Sequence, residues 1–152
     1  MTATANIPIG ASAIKAVEVT REMTVAHFHS HMPEVYGTPM MIYLMEEAAA
    51  EAIQEYLPDG WVSVGAMINV KHLAATPVGF QVTARAEVVL VSDNLITFAV
   101  EADDGIEKIG EGIQVRAAVE VKQFETRMRL KEGQAHLLQF LAFFGGLNGL
   151  ST

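Results

Sequence analysis

The sequence predicts an α+β fold in which one long central helix is wrapped by a curved five-stranded antiparallel sheet, with a helical tail at the C-terminus. Three observations carry this. A single strong helical segment, from about Pro39 to Tyr56, lies between one early strand-like segment and four later ones. The later strands follow one another through short turns, as a meander does, and no alternation of strand and helix suggests a parallel sheet. The helix has apolar residues around much of its circumference, so it must be nearly enclosed by what surrounds it.

Residues 1–12 read as a loose start, and Ala13–Thr24 alternates well enough for a first strand. The His-rich stretch Val25–Gly37 reads as an irregular connection. At the helix start, Thr38 suits the N-cap and Pro39 the first helical position. Met40, Met41, Leu44, Met45, Ala48, Ala49, Ala52, Ile53 and Tyr56 form its apolar surface, and Pro58-Asp59-Gly60 stops it. The Ala-rich middle lets a sheet approach closely. Trp61–His72 is a mostly apolar strand. Phe80–Val91 alternates, with Val82, Ala84, Ala86, Val88 and Leu90 on one face, and Ser92-Asp93-Asn94 turns it back into Leu95–Ala102. After Asp103-Asp104-Gly105, Ile106–Phe124 reads as a long last strand, with Val115, Ala117, Val119 and Val121 as its apolar face. One helix wrapped by one curved sheet is the hotdog arrangement. Its exposed sheet edges predict a homodimer or a higher homo-oligomer. Residues 1–130 form the wrapped domain on this reading. Residues 131–152 form an apolar tail whose His136–Phe144 run predicts a short helix over Gln134–Leu150, packed on the domain or a neighbouring subunit.

Composition narrows the function classes. The chain has 152 residues, enough for one domain with a real core. Hydrophobic residues make up 51% and the mean hydropathy is +0.28, which predicts apolar surface covered by another subunit. A net charge of −8 argues against a nucleic-acid partner, which needs a basic surface. With no cysteine, disulfides, thiolate nucleophiles and Cys-ligated metals are excluded. The start lacks a basic region followed by an apolar run, and no apolar stretch reaches the ~20 residues of a bilayer span, so no membrane partner and a cytoplasmic location are expected.

The residues that carry chemistry are Thr38, Glu46 and His72. Glu46 lies eight residues after Thr38, on nearly the same helical face, and His72 ends a strand. A hydroxyl, a carboxylate and an imidazole that converge are the parts of an acyl-transfer site. The backbone N–H groups of the helix start near Thr38 and Met40 are candidate donors to a developing oxyanion. Each residue also has a plainer reading. Thr38 can simply cap the helix. Glu46 can be a solvated carboxylate, with Glu47 as the inward one instead. His72 can be a strand-end histidine bonded to backbone. Arg116 reads either as a surface ion-pair residue or as a contact to the pantetheine or phosphate of an acyl-CoA. Asn69 reads either as a contact to the pantetheine arm or as an edge-strand polar residue. Tyr36, Met40, Met41 and Met67 would line a small acyl cavity that methionines can reshape.

These residues sit in a recognisable pattern. Gly37-Thr38, Met41-Ile-Tyr-Leu-Met-Glu46-Glu-Ala, Gly65, Val70-Lys-His72-Leu-Ala-Ala-Thr76-Pro77-Val-Gly79, and Ile109-Gly110-Glu-Gly112 with Arg116-Ala117 together resemble the fluoroacetyl-CoA thioesterase-like group of hotdog proteins. The most specific piece is the histidine followed by Ala-Ala-Thr-Pro and a glycine. The resemblance covers roughly residues 14–130. It implies an acyl-CoA thioesterase that cleaves a small acyl thioester to free acid and CoA. It further implies Thr38, Glu46 and His72 as the catalytic set, with Gly65 and Arg116 near the substrate. Between His27 and Pro33 the chain departs from the longer, aromatic-containing lid of the fluoroacetyl-specific members. No organic cofactor or metal is needed for this chemistry.

Two other classes compete. A hotdog protein can bind acyl-CoA without turning it over. Alternatively His27, His29 and His31, alternating along an extended chain with Glu34 nearby, would present imidazoles to one side as metal ligands do.

Overall fold

The computed structural model describes residues 2–147. Strand β1 (Ser12–Glu18) leads through a 3₁₀ turn, Arg21–Met23, and a four-residue helix α1 (Val25–Phe28) into the central helix α2 (Thr38–Gln54). Strands β2 (Trp61–His72), β3 (Gln81–Ser92), β4 (Leu95–Asp103) and β5 (Lys108–Glu120) follow, and helix α3 (Val121–Leu147) closes the chain. The sheet order is β1-β3-β4-β5-β2, every pairing is antiparallel, and β1 and β2 are its edges.

The sheet curls around α2. Met41, Leu44, Met45, Ala48, Ala49, Ala52 and Ile53 of the helix are buried against it. From the sheet come Val82, Ala84, Ala86 and Val88 of β3 and Ile96, Phe98, Val100 and Ala102 of β4. The alanines of both elements allow the close approach expected of them. On its solvent side α2 is tied to β1 by a Lys15–Glu51 ion pair of 2.6 Å.

Several expectations change. The first strand ends at Glu18, and the following residues turn into the 3₁₀ segment and α1. Because Val25–Phe28 is helical, His27, His29 and His31 do not alternate along an extended chain, which removes the geometry of the metal-site reading. Among the described residues no three His, Asp or Glu groups converge as ligands. A bulge between Val88 and Leu90 shifts the register of β3 against β4, so Leu90 leaves the core face and is 55% exposed.

The largest correction concerns β5. From Gln114 onwards its buried side chains are Gln114, Arg116 and Ala118, while Val115, Ala117 and Val119 are only half-buried. The apolar alternation therefore faces outwards, and the polar members face the helix. The reason lies in the neighbours. Val115 and Ala117 sit opposite Thr97 and Leu95 on one side, and Ala117 and Val119 opposite Val64 and Val62 on the other, forming an apolar strip on the outer sheet surface. Strand periodicity reports that two faces differ, not which one is inside.

The last strand ends at Glu120, and Val121 already belongs to α3, which runs unbroken past residue 131. Its residues 122–145 are exposed, so residues 131–145 of the tail are not packed into the domain. The expected helix over Gln134–Leu150 is longer at its start than anticipated, and residues 148–150 lie outside the described residues. No helix among the described residues is long and apolar enough to cross a membrane.

Candidate active site

Helix α2 starts at Thr38, with Gly37 as its N-cap and Pro39 in the first turn. Gly37 supplies no capping side chain, and Thr38, already inside the helix, points its hydroxyl elsewhere. Thr38 Oγ1 lies 2.7 Å from Nδ1 of His72, the last residue of β2. The capping role expected of Thr38 is thus replaced by a hydroxyl–imidazole hydrogen bond between two elements. The other ring nitrogen, His72 Nε2, is buried and has no partner among the described residues. Burial lowers the imidazole's pKa below its usual value, with the backbone of Ala74 opposing the shift, so the ring is neutral at pH 7.

Local structure holds this pair in place. Tyr36 is buried, its N–H donates to the Thr76 carbonyl at 2.8 Å, and its hydroxyl donates to the Met40 carbonyl at 3.1 Å. Burial, aided by the charge of Glu47, pushes the Tyr36 phenol up to about 12, so it stays a neutral donor. Beyond His72 the chain is pinned by Thr76, whose hydroxyl donates to the Asp104 carboxylate at 3.0 Å. The other Asp104 oxygen accepts the backbone N–H groups of Ile106 and Glu107, each at 3.0 Å. Burial works to raise the Asp104 pKa. The hydrogen bonds from Glu107, Ile106 and Thr76 together outweigh it and hold the carboxyl below its usual range.

An open cavity of ≈ 400 Å³ adjoins the pair, with Val25, Val35, Tyr36 and Ala75 in its wall beside Thr38 and His72. The helix start offers fewer oxyanion donors than expected. The N–H groups of Met40 and Met41 are both bonded to the Gly37 carbonyl, and proline has none. That leaves the Thr38 N–H, which has no backbone partner among the described residues.

Glu46 stands apart from this pair in the single chain. It lies two turns along α2, about 12 Å down the axis. There its carboxylate comes against the backbone of Gly65: a Cβ at that position would sit 3.1 Å from Glu46 Oε1. Gly65 faces Arg116 across the β2–β5 ladder. Arg116 is buried, which excludes the surface ion-pair reading. Its Nε donates to Ser63 Oγ and its Nη2 to the Ser63 carbonyl, both at 2.8 Å, while Nη1 is buried without a partner. Burial lowers the guanidinium's pKa, and the carboxylate of Glu46 opposes that shift. Glu47, the other candidate for the inward carboxylate, instead lines a separate cavity of ≈ 270 Å³ with Tyr43, Tyr36 and Met40.

The chain therefore has two half-sites on one sheet face, Thr38 with His72 and Glu46 with Gly65 and Arg116. Asn69 joins neither. It is exposed, three residues before His72 on a regular stretch of strand, and so on the opposite face. Sequence reasoning missed Ser63, which anchors Arg116, and Gln114, which is wholly buried between the half-sites. The available signal was a glutamine and an arginine at alternating positions of one strand.

A family model for fluoroacetyl-CoA-specific thioesterases matches residues 19–122, an interval that includes both half-sites. The chain belongs to that family. It is 38% identical over 114 residues to the fluoroacetyl-CoA thioesterase of Streptantibioticus cattleyicolor, spanning 71% of this chain and 82% of that protein. A solved structure of a fluoroacetyl-CoA thioesterase superposes with a TM-score of 0.77 at 35% identity, covering 82% of this chain and 96% of the other. A thioesterase superfamily member from Thermus thermophilus has a TM-score of 0.81 at 27% identity, covering 86% and 97%. These neighbours bear out the hotdog architecture read from the strand and helix order, and family membership makes the chain a thioester hydrolase. The family match stops at residue 122, so nearly all of α3 lies outside it.

Proposed function

We propose that this protein is a cytoplasmic, homodimeric acyl-CoA thioesterase that hydrolyses a small acyl thioester with Thr38, His72 and Glu46. The observation that carries the reading is the 2.7 Å contact between Thr38 Oγ1 and His72 Nδ1 at the mouth of an open cavity. A neutral imidazole in contact with a hydroxyl can take its proton, or that of a water held in the same place. The oxygen then attacks the thioester carbonyl, the carbonyl oxygen gains charge beside the Thr38 N–H and the helix start, and the C–S bond breaks. The proton held by His72 passes to the departing sulfur. The acyl group leaves as a carboxylic acid after water has supplied its oxygen, and CoA leaves as the thiol.

The orphan His72 Nε2 calls for a carboxylate, as the second nitrogen of a catalytic imidazole does. Glu46 of the same chain is two helical turns away. Strand β2 is a free edge of the sheet, with Met67 and Val62 exposed along it. A second copy pairing there would bring its own α2 towards the first, and we assign the missing carboxylate to that copy. A variant of the fluoroacetyl-CoA thioesterase has been crystallised with fluoroacetate and CoA, which supports a CoA ester as the substrate class here.

The test is a panel of short and medium acyl-CoA esters, followed with a thiol reagent for wild type, Thr38→Ala, Glu46→Ala and His72→Ala. Release of free CoA by wild type and its loss in the variants supports the assignment. Tight binding of CoA esters without thiol release would favour a binding module instead.

A further inference from the structure

We propose that Gln114 is a specificity-determining residue of the acyl site, and that its amide selects an acyl group bearing a small hydrogen-bonding substituent over a hydrocarbon of equal size. The inference rests on the hydrolase reading above and extends it to the substrate class.

Among the described residues, four buried side-chain polar atoms lack a partner: His72 Nε2, Arg116 Nη1, and both Nε2 and Oε1 of Gln114. They are not scattered. His72 pairs with Gly110, Ile68 with Gln114, and Gly65 with Arg116, so all four atoms belong to side chains on the inner face of one two-stranded ladder. Buried polar groups are nearly always bonded, and leaving one bare is costly. Four on one ladder face mark a place where the missing partner comes from outside the chain.

Gln114 is the clearest member. Its exposure is 0%, and its neighbours in register are Ile68 and Phe98, which offer no side-chain hydrogen bond. It lies two positions from Arg116 on the same face, between that guanidinium and the His72 end. On the His72 side this face carries Gly110 and Gly112, which leave the strand without side chains there. A Cβ on Gly110 would collide with the sulfur of Met41, a side chain that repacks readily, whereas one on Gly112 would collide with the backbone of Asn69 and Val70 on the neighbouring strand. An acyl group entering from the Thr38–His72 pair would reach the amide by displacing the Met41 side chain. Gln114 offers one donor group and one acceptor, so it matches a hydroxyl as well as an ether, carbonyl or halogen acceptor. Arg116 Nη1 adds a second donor. Because Glu46 lies beside Arg116, the surroundings are not strongly cationic and favour a neutral polar substituent over a carboxylate.

The test uses the matched pair hydroxyacetyl-CoA and propionyl-CoA, in which a hydroxyl replaces a methyl. The full-length protein is compared with Gln114→Met, of similar volume, and Gln114→Leu as the second variant. Wild type should favour hydroxyacetyl-CoA in kcat/KM by about tenfold or more, and both variants should bring the ratio near one. Melting temperatures should hold or rise, because an amide with no internal partner contributes nothing to the free fold. An unchanged ratio overturns the proposal. So does a fall in melting temperature with both substrates losing rate in parallel, which would make Gln114 a packing residue or the holder of a buried water. If wild type cleaves neither ester, the hydrolase reading fails for these substrates. Calorimetric affinities for the same two esters then decide the Gln114 claim separately: a wild-type preference lost in Gln114→Met upholds it, and equal affinities overturn it.

Discussion

At the scale of single residues the proposed chemistry turns on one imidazole. One ring nitrogen of His72 meets a threonine hydroxyl, the other is buried without a partner among the described residues, and burial depresses the imidazole's pKa. A base that must be neutral loses activity on protonation. We therefore expect kcat/KM to be flat around pH 7 and to fall only below the usual imidazole value of about 6.5. Stability has a matching sign. The unfolded chain takes up this proton at higher pH than the folded chain does, so acid favours unfolding as the pH drops through that value. A rate profile whose acid limb lies clearly above pH 6.5 would contradict the assignment. Gly65 gives a second residue-scale expectation. Gly65→Ala places a methyl 3.1 Å from Glu46 Oε1, on the movable end of a side chain. Steady-state rates should fall by about tenfold or more as the carboxylate is pushed aside, while the melting temperature changes little. A strongly destabilised but catalytically normal Gly65→Ala would show that the glycine serves the backbone alone.

At the scale of elements the segment after β2 is fastened by Asp104. Its carboxylate takes three hydrogen bonds and ties the Thr76 loop to the β4–β5 turn. Asp104→Ala should lower stability by about 1–3 kcal/mol and loosen His72, read as a lower denaturant midpoint with a higher KM or lower kcat. Because the folded-state pKa is depressed, this stabilisation is present above the ordinary carboxylate value and is lost as the pH falls through the lower one. A variant with wild-type acid stability would remove the anchor from the account. The same elements show what the sequence made legible. Trp61–His72 has the residue types and stop signals that set both of its ends as read, and α2 is within two residues of its reading because Gly37-Thr38-Pro39 and the Pro58-Asp59-Gly60 stop are local signals. The face of β5 was not legible. Val115, Ala117 and Val119 alternate cleanly, yet the buried partners are Gln114 and Arg116, since a site that needs polar groups inside inverts the usual pattern. Nor was the Thr38–His72 contact, made between residues 34 apart in sequence, derivable from spacing alone. The separation of Glu46 from both was equally hidden.

At the scale of the whole molecule, the candidate site lies in two separate parts of the single chain and the β2 edge is open. We expect the protein to be a dimer by light scattering. Met67→Asp on the exposed edge should shift it towards monomer, with a loss of activity that protein concentration partly restores. A fully active monomer would show that Glu46 of a second copy is not required. Helix α3 is a different matter. It lies almost wholly beyond the family match, and its residues 122–145 are exposed. Removing residues 134–152 should alter the size or solubility of the assembly more than the chemistry, checked by gel filtration beside the hydrolysis rate.

The role of His72 as proton carrier is tested by comparing wild type with His72→Ala on the best acyl-CoA ester, followed by release of free thiol. The expected loss is roughly 10²–10⁴ in kcat with the melting temperature nearly unchanged. Robust thiol release by His72→Ala would place the proton carrier elsewhere and contradict that role.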